Sequence, residues 1–312
     1  MTERRRSYVF GPVPSRRLGR SLGVDLVPFK TCSLDCIYCQ LGRTTDKTTQ
    51  RLAYAPVDAV IEDVAAALAT GPEPNYITLS GSGEPTLHVH LDEVISRIRK
   101  MTQIPIALLT NASLFYREGV RRDAALADVV LPSLDAPNDE LFALINRPHP
   151  DLGFDRLVRS LVRFRTEYTG PIWLEVFLLR GLNDTESHVA QFNEHIERIR
   201  PDRIHLNTAV RPTAEDTALR VPPEDMARLC KLFGPNASVI AGFEGVHRED
   251  AFAATRDHVL AVLKRRPCTL ADVAAGLGIH RNEAAKHIAK LVAERKIATE
   301  QRQSETYYHA CS

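Results

Sequence analysis

Ser21-Leu22-Gly23-Val24-Asp25-Leu26-Val27-Pro28-Phe29-Lys30-Thr31-Cys32-Ser33-Leu34-Asp35-Cys36-Ile37-Tyr38-Cys39 reads as a β-strand that stops at a proline and hands three thiols to a loop. Its first half is short and aliphatic, and Pro28 cannot donate to a sheet ladder. Three of the six cysteines, Cys32, Cys36 and Cys39, fall within eight residues, whereas Cys230, Cys268 and Cys311 are scattered. A chain of 312 residues needs no covalent staples, so a tight thiol group points to metal binding or catalysis rather than to a disulfide framework. Zinc takes four ligands in paired knuckles, and only His88 and His90 offer themselves, awkwardly, as a fourth. The spacing also fits one apolar face of a helix, but Thr31, Ser33, Asp35 and Gln40 make the neighbourhood polar. Three thiolates suit a [4Fe–4S] cluster with one iron left open. Cys230 reads as a small buried hydrophobe on a helix, and Cys268 and Cys311 are read the same way.

Working outward, strand and helix patterns alternate to about residue 233. Helices are expected over Pro56–Leu68 and around Leu91, Val94, Ile95 and Ile98, within Leu114–Leu126, over 153–168, and over His188–Arg200 and Pro223–Phe233. Strands are expected at Tyr76–Ser80, Ile104–Leu109, Val129–Leu131, Ile172–Leu179 and Arg203–Asn207. Such alternation demands a parallel sheet covered by helices. About six units, against the eight of a closed barrel, predict an α/β fold with a partial (β/α)6 TIM-like barrel. Polar signatures follow successive strands: Cys32–Cys39, Gly81–Thr86, Asn111, Ser133–Asp135 and Asn207–Arg211. The C-terminal edge of a parallel sheet is where chemistry collects, so the five describe one pocket.

The cysteine loop resembles the signature of the radical S-adenosylmethionine (SAM) superfamily, C-x3-C-x-aromatic-C, with Cys32, Cys36, Tyr38 and Cys39 in its four places. The resemblance implies a cluster on Cys32, Cys36 and Cys39 whose open iron chelates SAM. It also implies reductive cleavage to a 5′-deoxyadenosyl radical, hydrogen abstraction from a substrate, and a flavodoxin- or ferredoxin-like electron donor. Gly81-Ser82-Gly83-Glu84-Pro85 is similar to the superfamily's Gly-Gly-Glu motif, which implies that Gly81, Gly83 and Glu84 bind cofactor, Glu84 accepting from the methionine ammonium. By the same resemblance Tyr38, Asn111, Ser133 and Asn207 are cofactor-binding, while Asp135 is given to substrate. Residues 8 to about 240 resemble more closely the Fe–S oxidoreductases related to tRNA wyosine-base synthases, on Gly11–Gly19, Leu182–Glu186 and His205–Pro212. Lys30 has two readings, a Schiff-base lysine as in some of those relatives or a solvated side chain. Arg16, Arg17, Arg20 and Arg211 meet an anionic substrate group, or else Arg16 and Arg17 are solvated or pack under the barrel floor. No residue is singled out as catalytic.

Residues 255–312 change character. Helices at His258–Lys264, Leu270–Leu277 and Arg281–Glu294, followed by two strands around Gln301–Ser304, predict a winged helix-turn-helix. The expected domains are an extension at 1–20, the barrel at 21–245 and the winged helix at 246–312. Residues 255–312 carry ten Lys/Arg against six Asp/Glu, the remainder thirty against thirty-three. Arg281, Asn282, Lys286, His287 and Lys290 fall on the outward side of its third helix, which suits RNA or DNA; a peptide- or protein-docking module fits equally.

The formal net charge is +1 with 44% hydrophobic residues, so the chain is neither disordered nor basic throughout. No run of 18 uncharged apolar residues and no secretory leader is seen, and a cytoplasmic location without membrane contact is expected. The substrate classes left open are RNA, another bulky substrate, and peptide or protein. A DNA-binding, non-catalytic Fe–S redox regulator is the alternative from another class.

Overall fold

The computed structural model describes residues 7–210, 213–240, 256–265, 267–277, 279, 281–302 and 305–311. Strand β1 (Val9–Ser15) pairs antiparallel with β2 (Gly19–Val24). Residues 1–20, expected to be an extension, are therefore from Val9 onward the edge of the sheet. The prolines hide it: Pro12 and Pro14 cannot donate to a ladder and are tolerated only on an edge, and the pairing shifts register between Phe10 and Val13.

A long loop after β2 carries two short parallel strands, β3 (Thr31–Cys32) and β4 (Asp46–Lys47). There follow α1 (Val57–Thr70), β5 (Tyr76–Leu79), α2 (Leu91–Met101), β6 (Ile106–Thr110), α3 (Glu118–Ala124), β7 (Val129–Pro132), the single turn α4 (Asp139–Leu141), α5 (Phe154–Glu167), β8 (Trp173–Leu178), α6 (Glu186–Ile199), β9 (Arg203–Thr208), α7 (Pro223–Leu232) and β10 (Ala237–Val239). A π-helical turn, Phe142–Asn146, extends α4. The strands lie in the orders β1-β2-β5-β6-β7 and β8-β9-β10. Isolated parallel bridges Val130–Ile172 and Ser133–Glu175 join the two into one arc. Every pairing in it after β1–β2 is parallel. Among the described residues nothing pairs β10 back to β1, so the arc of six β/α units stays open, consistent with a partial barrel.

Side-chain alternation gives each strand two faces. On β8, Leu174, Val176 and Leu178 enter the main core under the helices. Trp173 instead joins Ala107, Val129, Leu131 and Leu18 in a smaller cluster on the concave face. Leu18 comes from the β1–β2 turn, at the N-terminal ends of the strands, and so plugs the floor. Nearer the C-terminal ends Phe177 packs with Ile37 and Tyr38 of the cysteine loop.

The C-terminal segment runs α8 (Arg256–Arg265), β11 (Cys268–Thr269), α9 (Leu270–Leu277), α10 (Arg281–Ala293), β12 (Ile297–Arg302) and β13 (Glu305–Ala310). Its small antiparallel sheet has the order β11-β13-β12, and it has its own core, including Val259, Val273, Ile288 and Leu291. Cys268 is buried in that core, Cys230 is half-buried and Cys311 exposed. Helices α8 and α9 rest on β1, and Val13 packs into the C-terminal core. The expected boundary at 245/246, Gly278 and the hairpin tip Gln303-Ser304 lie outside the described residues. Among the described residues no helix is long and apolar enough to cross a membrane.

Candidate metal and cofactor site

Three segments meet at the C-terminal ends of the strands. The cysteine loop follows β2, the Gly81–Glu84 turn follows β5, and Asn111 follows β6. Their fit depends on two glycines. A Cβ on Gly83 would sit 1.9 Å from the Thr31 carbonyl oxygen, and one on Gly81 would sit 2.4 Å from Asp25 Oδ1, with φ at +150°. The glycines thus admit the neighbouring loop. Asp25 then accepts from the Ser82 amide (3.0 Å) and hydroxyl.

Glu84 is 2% exposed and spends both oxygens within the chain. Oε1 accepts from the Thr86 amide (3.1 Å), Thr86 Oγ1 (2.6 Å) and Thr110 Oγ1 (2.6 Å), and Oε2 from the Asn111 amide (2.8 Å). Burial raises its pKa against the pull of those donors. Its visible work is to lock the turn after β5 to the end of β6 and so to aim Asn111. The Asn111 side chain, in turn, donates to Ser33 Oγ (3.0 Å) and Cys32 Sγ (3.5 Å) and accepts from the Ser113 amide (2.9 Å).

On the other side of the thiols, Tyr38 stacks on Phe177, with centroids 4.0 Å apart and planes at 14°, and donates its hydroxyl to Asp135. Asp135 also accepts from the Phe177 amide (3.1 Å) and Asn146 Nδ2 (3.3 Å). Burial pushes its carboxyl up to about 7. The structure therefore shows Asp135 anchoring Tyr38. Asn146, at the end of the π-helical turn, donates to Cys36 Sγ (3.4 Å), while its Oδ1 is buried without a partner. Lys30 Nζ donates to Cys39 Sγ (3.2 Å).

Each thiol is thus met by one side-chain N–H. Burial, and after it the nearby Glu84, push Cys32 up to about 12; burial and Asp135 also raise Cys36. The thiols raise one another as well, so they lie close together. Clustered thiols with donors on their sulfurs suit a metal group, which removes their protons outright. Among the described residues no three His, Cys, Asp or Glu converge on a point for a single ion. A cubane instead spreads its thiolates over separate irons, and three thiols with N–H donors on their sulfurs fit that group. His88 is fully occupied, Nε2 on the Ala55 carbonyl (2.9 Å) and Nδ1 accepting from the His90 amide (3.1 Å), so it is no ligand.

Asn207 lies apart from this group. Its Nδ2 donates to Glu175 Oε1 (2.9 Å), and its Oδ1 accepts from Arg16 Nη1 (3.3 Å) and its neighbour's amide (3.0 Å). Arg17 pairs with Glu175 from the floor. Burial pushes Glu175 up, but Arg17, Asn207 and Arg16 outweigh it, and the carboxyl lies below its ordinary value. Arg16 and Arg17 are neither a solvated run nor packed under the floor; they reach inward to Asn207 and Glu175. Arg20 caps Glu73 O (3.0 Å) at the same end; Arg211 lies outside the described residues. Ser133 is half-buried after β7, its amide on the Thr110 carbonyl (3.1 Å). Sequence reasoning missed Glu175 and Asn146. Glu175 carried a signal, a lone charge in the apolar run Trp173–Leu178, while nothing near Asn146 marked it.

The sequence profile of the Radical SAM superfamily matches residues 26–193. A protein of Brachyspira hyodysenteriae named GTPase Obg is 38% identical over 94% of this chain, and the chain spans 43% of that protein's length. A UPF0026 protein of Helicobacter pylori is 31% identical over 97% of both chains. The crystal structure of Streptococcus suis SuiB bound to S-adenosylmethionine shares the fold, with a TM-score of 0.51 and 16% identity over 73% of this chain and 50% of that one.

Proposed function

The chain belongs to the radical SAM superfamily of enzymes, which work with SAM and a [4Fe–4S] cluster, and from that premise we propose that Cys32, Cys36 and Cys39 hold the cluster and that SAM binds beside it, over Tyr38, Gly81–Glu84, Asn111 and Ser133. When bound, the pair supplies one-electron cleavage of the sulfonium for hydrogen abstraction. The chain's own residues prepare that ground. Glu84 fixes Asn111, the Tyr38–Phe177 stack and Asp135 fix the loop between Cys36 and Cys39, and the apolar floor under Leu18 keeps water from entering beneath. The single observation that carries the reading is that each of three thiols on one short loop is met by its own side-chain N–H donor.

Anaerobic reconstitution tests it. Iron and sulfide, an Fe–S absorbance and reductant-dependent 5′-deoxyadenosine are expected together, and Cys36→Ala should lose all three. Bound zinc without sulfide would sink the reading.

For the substrate we favour RNA delivered by the C-terminal segment, here taken as a winged helix-turn-helix. The order helix, strand, two helices, two strands, with β13 between β11 and β12, supports that assignment. Arg281, Lys286 and Lys290 are exposed along α10, where a recognition helix meets phosphates. Salt-dependent RNA binding should weaken in Lys286→Ala/Lys290→Ala, with the salt slope falling by about 2. Binding that is insensitive to salt, or selective for a peptide, would favour the peptide-modifying reading. The electron donor is taken to be a flavodoxin- or ferredoxin-like protein.

A further inference from the structure

Lys30 is unusual in three independent ways. It is 3% exposed, although lysine is among the side chains least often buried. Its backbone is left-handed, φ +64°, a region where a lysine carries strain and glycine carries none. And among the described residues no carboxylate comes within ion-pair distance of it; its ammonium donates to Cys39 Sγ alone.

The strained backbone is held from both sides. The Lys30 amide donates to the Ser82 carbonyl (2.6 Å), and its own carbonyl accepts from the Thr45 and Asp46 amides (3.2 Å each). The fold therefore maintains a conformation that costs energy, and what it secures is the direction of one cation. A buried ammonium without a counter-charge is expensive. Among the described residues the group its ammonium meets is a sulfur, which carries negative charge as a metal-bound thiolate. Thiolate-bound Fe–S groups carry net negative charge, and hydrogen bonds to their sulfurs raise the reduction potential by favouring the more negative, reduced state. Asn111 Nδ2 at Cys32 and Asn146 Nδ2 at Cys36 donate in the same sense without a charge.

We propose that Lys30 is a positioning residue that sets the reduction potential of a cluster on Cys32, Cys36 and Cys39, with Asn111 and Asn146 as its weaker neutral counterparts. This rests on the cluster reading above. It assigns Lys30 neither of its sequence-based roles, since the side chain is not solvated and its nitrogen is spent on a thiol.

The test is a potentiometric titration of the reconstituted protein followed by electron paramagnetic resonance. Lys30→Arg keeps charge and donor, Lys30→Gln keeps only a donor, and Lys30→Met keeps neither. The expected order of potentials is wild type and Arg highest, then Gln, then Met. At a fixed poise the reduced-to-oxidised ratio in Lys30→Met should fall about tenfold, which for a one-electron couple is about 59 mV. If Lys30→Met does not retain a cluster, Lys30→Gln still reads the loss of charge. Equal potentials across the cluster-loaded variants, or an equal fall in Lys30→Arg and Lys30→Gln, would overturn the inference and leave the cluster standing. A wild-type protein that takes up no iron and sulfide fails at the earlier step.

Discussion

Two polar groups inside the arc use their side chains in opposite ways. Arg17 and Arg16, rising from the floor above an apolar plug, meet Glu175 and Asn207 in a run of donors and acceptors that ends level with Phe177. At the rim the groups are left open. Among the described residues Lys30 has no carboxylate partner, Asn146 has a buried oxygen with no donor, and burial raises the Cys32 and Cys36 thiols above their ordinary ionisation. Polar groups satisfied within the chain build the scaffold, but an open one does not by itself mark a ligand, since His205 Nδ1, opposite Glu175, is also buried without a partner. Proximity to a pocket does not make the distinction, since Glu84 stands at the rim and is satisfied.

Substitutions in the two groups should therefore fail differently. Cys36→Ala has the largest expected effect: iron and sulfide fall to background, while the urea midpoint of the metal-free protein hardly moves. A large loss of stability there would break the contrast. Glu175→Leu strands Arg17 and should cost about 3–5 kcal/mol in urea denaturation. The pair Arg17→Met/Glu175→Leu should recover most of it, and a single substitution costing under about 1 kcal/mol would show that the pairing is not structural. His205, buried beside that pair, sharpens the contrast through pH. Burial, and after it the charges of Arg17 and Arg203, push it down to about 4 from 6.5. As pH falls the unfolded chain takes up this proton first. Stability is then full above about 6.5 and declines as pH drops toward 4, by on the order of 3 kcal/mol. Denaturation at pH 7.5 and 5 should show the slope, and His205→Asn should flatten it. The smallest effect is expected for Gly83→Ala, whose new Cβ collides with the Thr31 carbonyl. About 1–3 kcal/mol of strain should appear as faster loss of the cluster to a chelator rather than as unfolding.

What the sequence made legible followed periodicity and spacing. The 3–4 repeat of Leu91, Val94, Ile95 and Ile98 is buried as α2, and the aliphatic strands and the thiol spacing lie where they were expected. What it hid depended on partners distant in the chain. β1 is a strand because β2 needs an edge, which Pro12 and Pro14 disguise. The partners of Asn207, Glu175 and Arg16, lie 32 and 191 residues away along the chain. Glu84 sat in the right motif, yet its four donors come from Thr86, Thr110 and Asn111, which no local pattern links to it. The left-handed turn at Lys30 is written in no propensity, since lysine gives no sign of favouring it.

Val13 belongs to two bodies at once, lying on a strand of the arc and in the core of the C-terminal segment. An appendage hung on a slack tether searches a volume, whereas one seated on shared structure works like the jaw of a caliper. Under the proposed function, an RNA held by α10 would be kept at a set span from the thiols, so that reach, as well as chemistry, would decide which atom of a long molecule is presented.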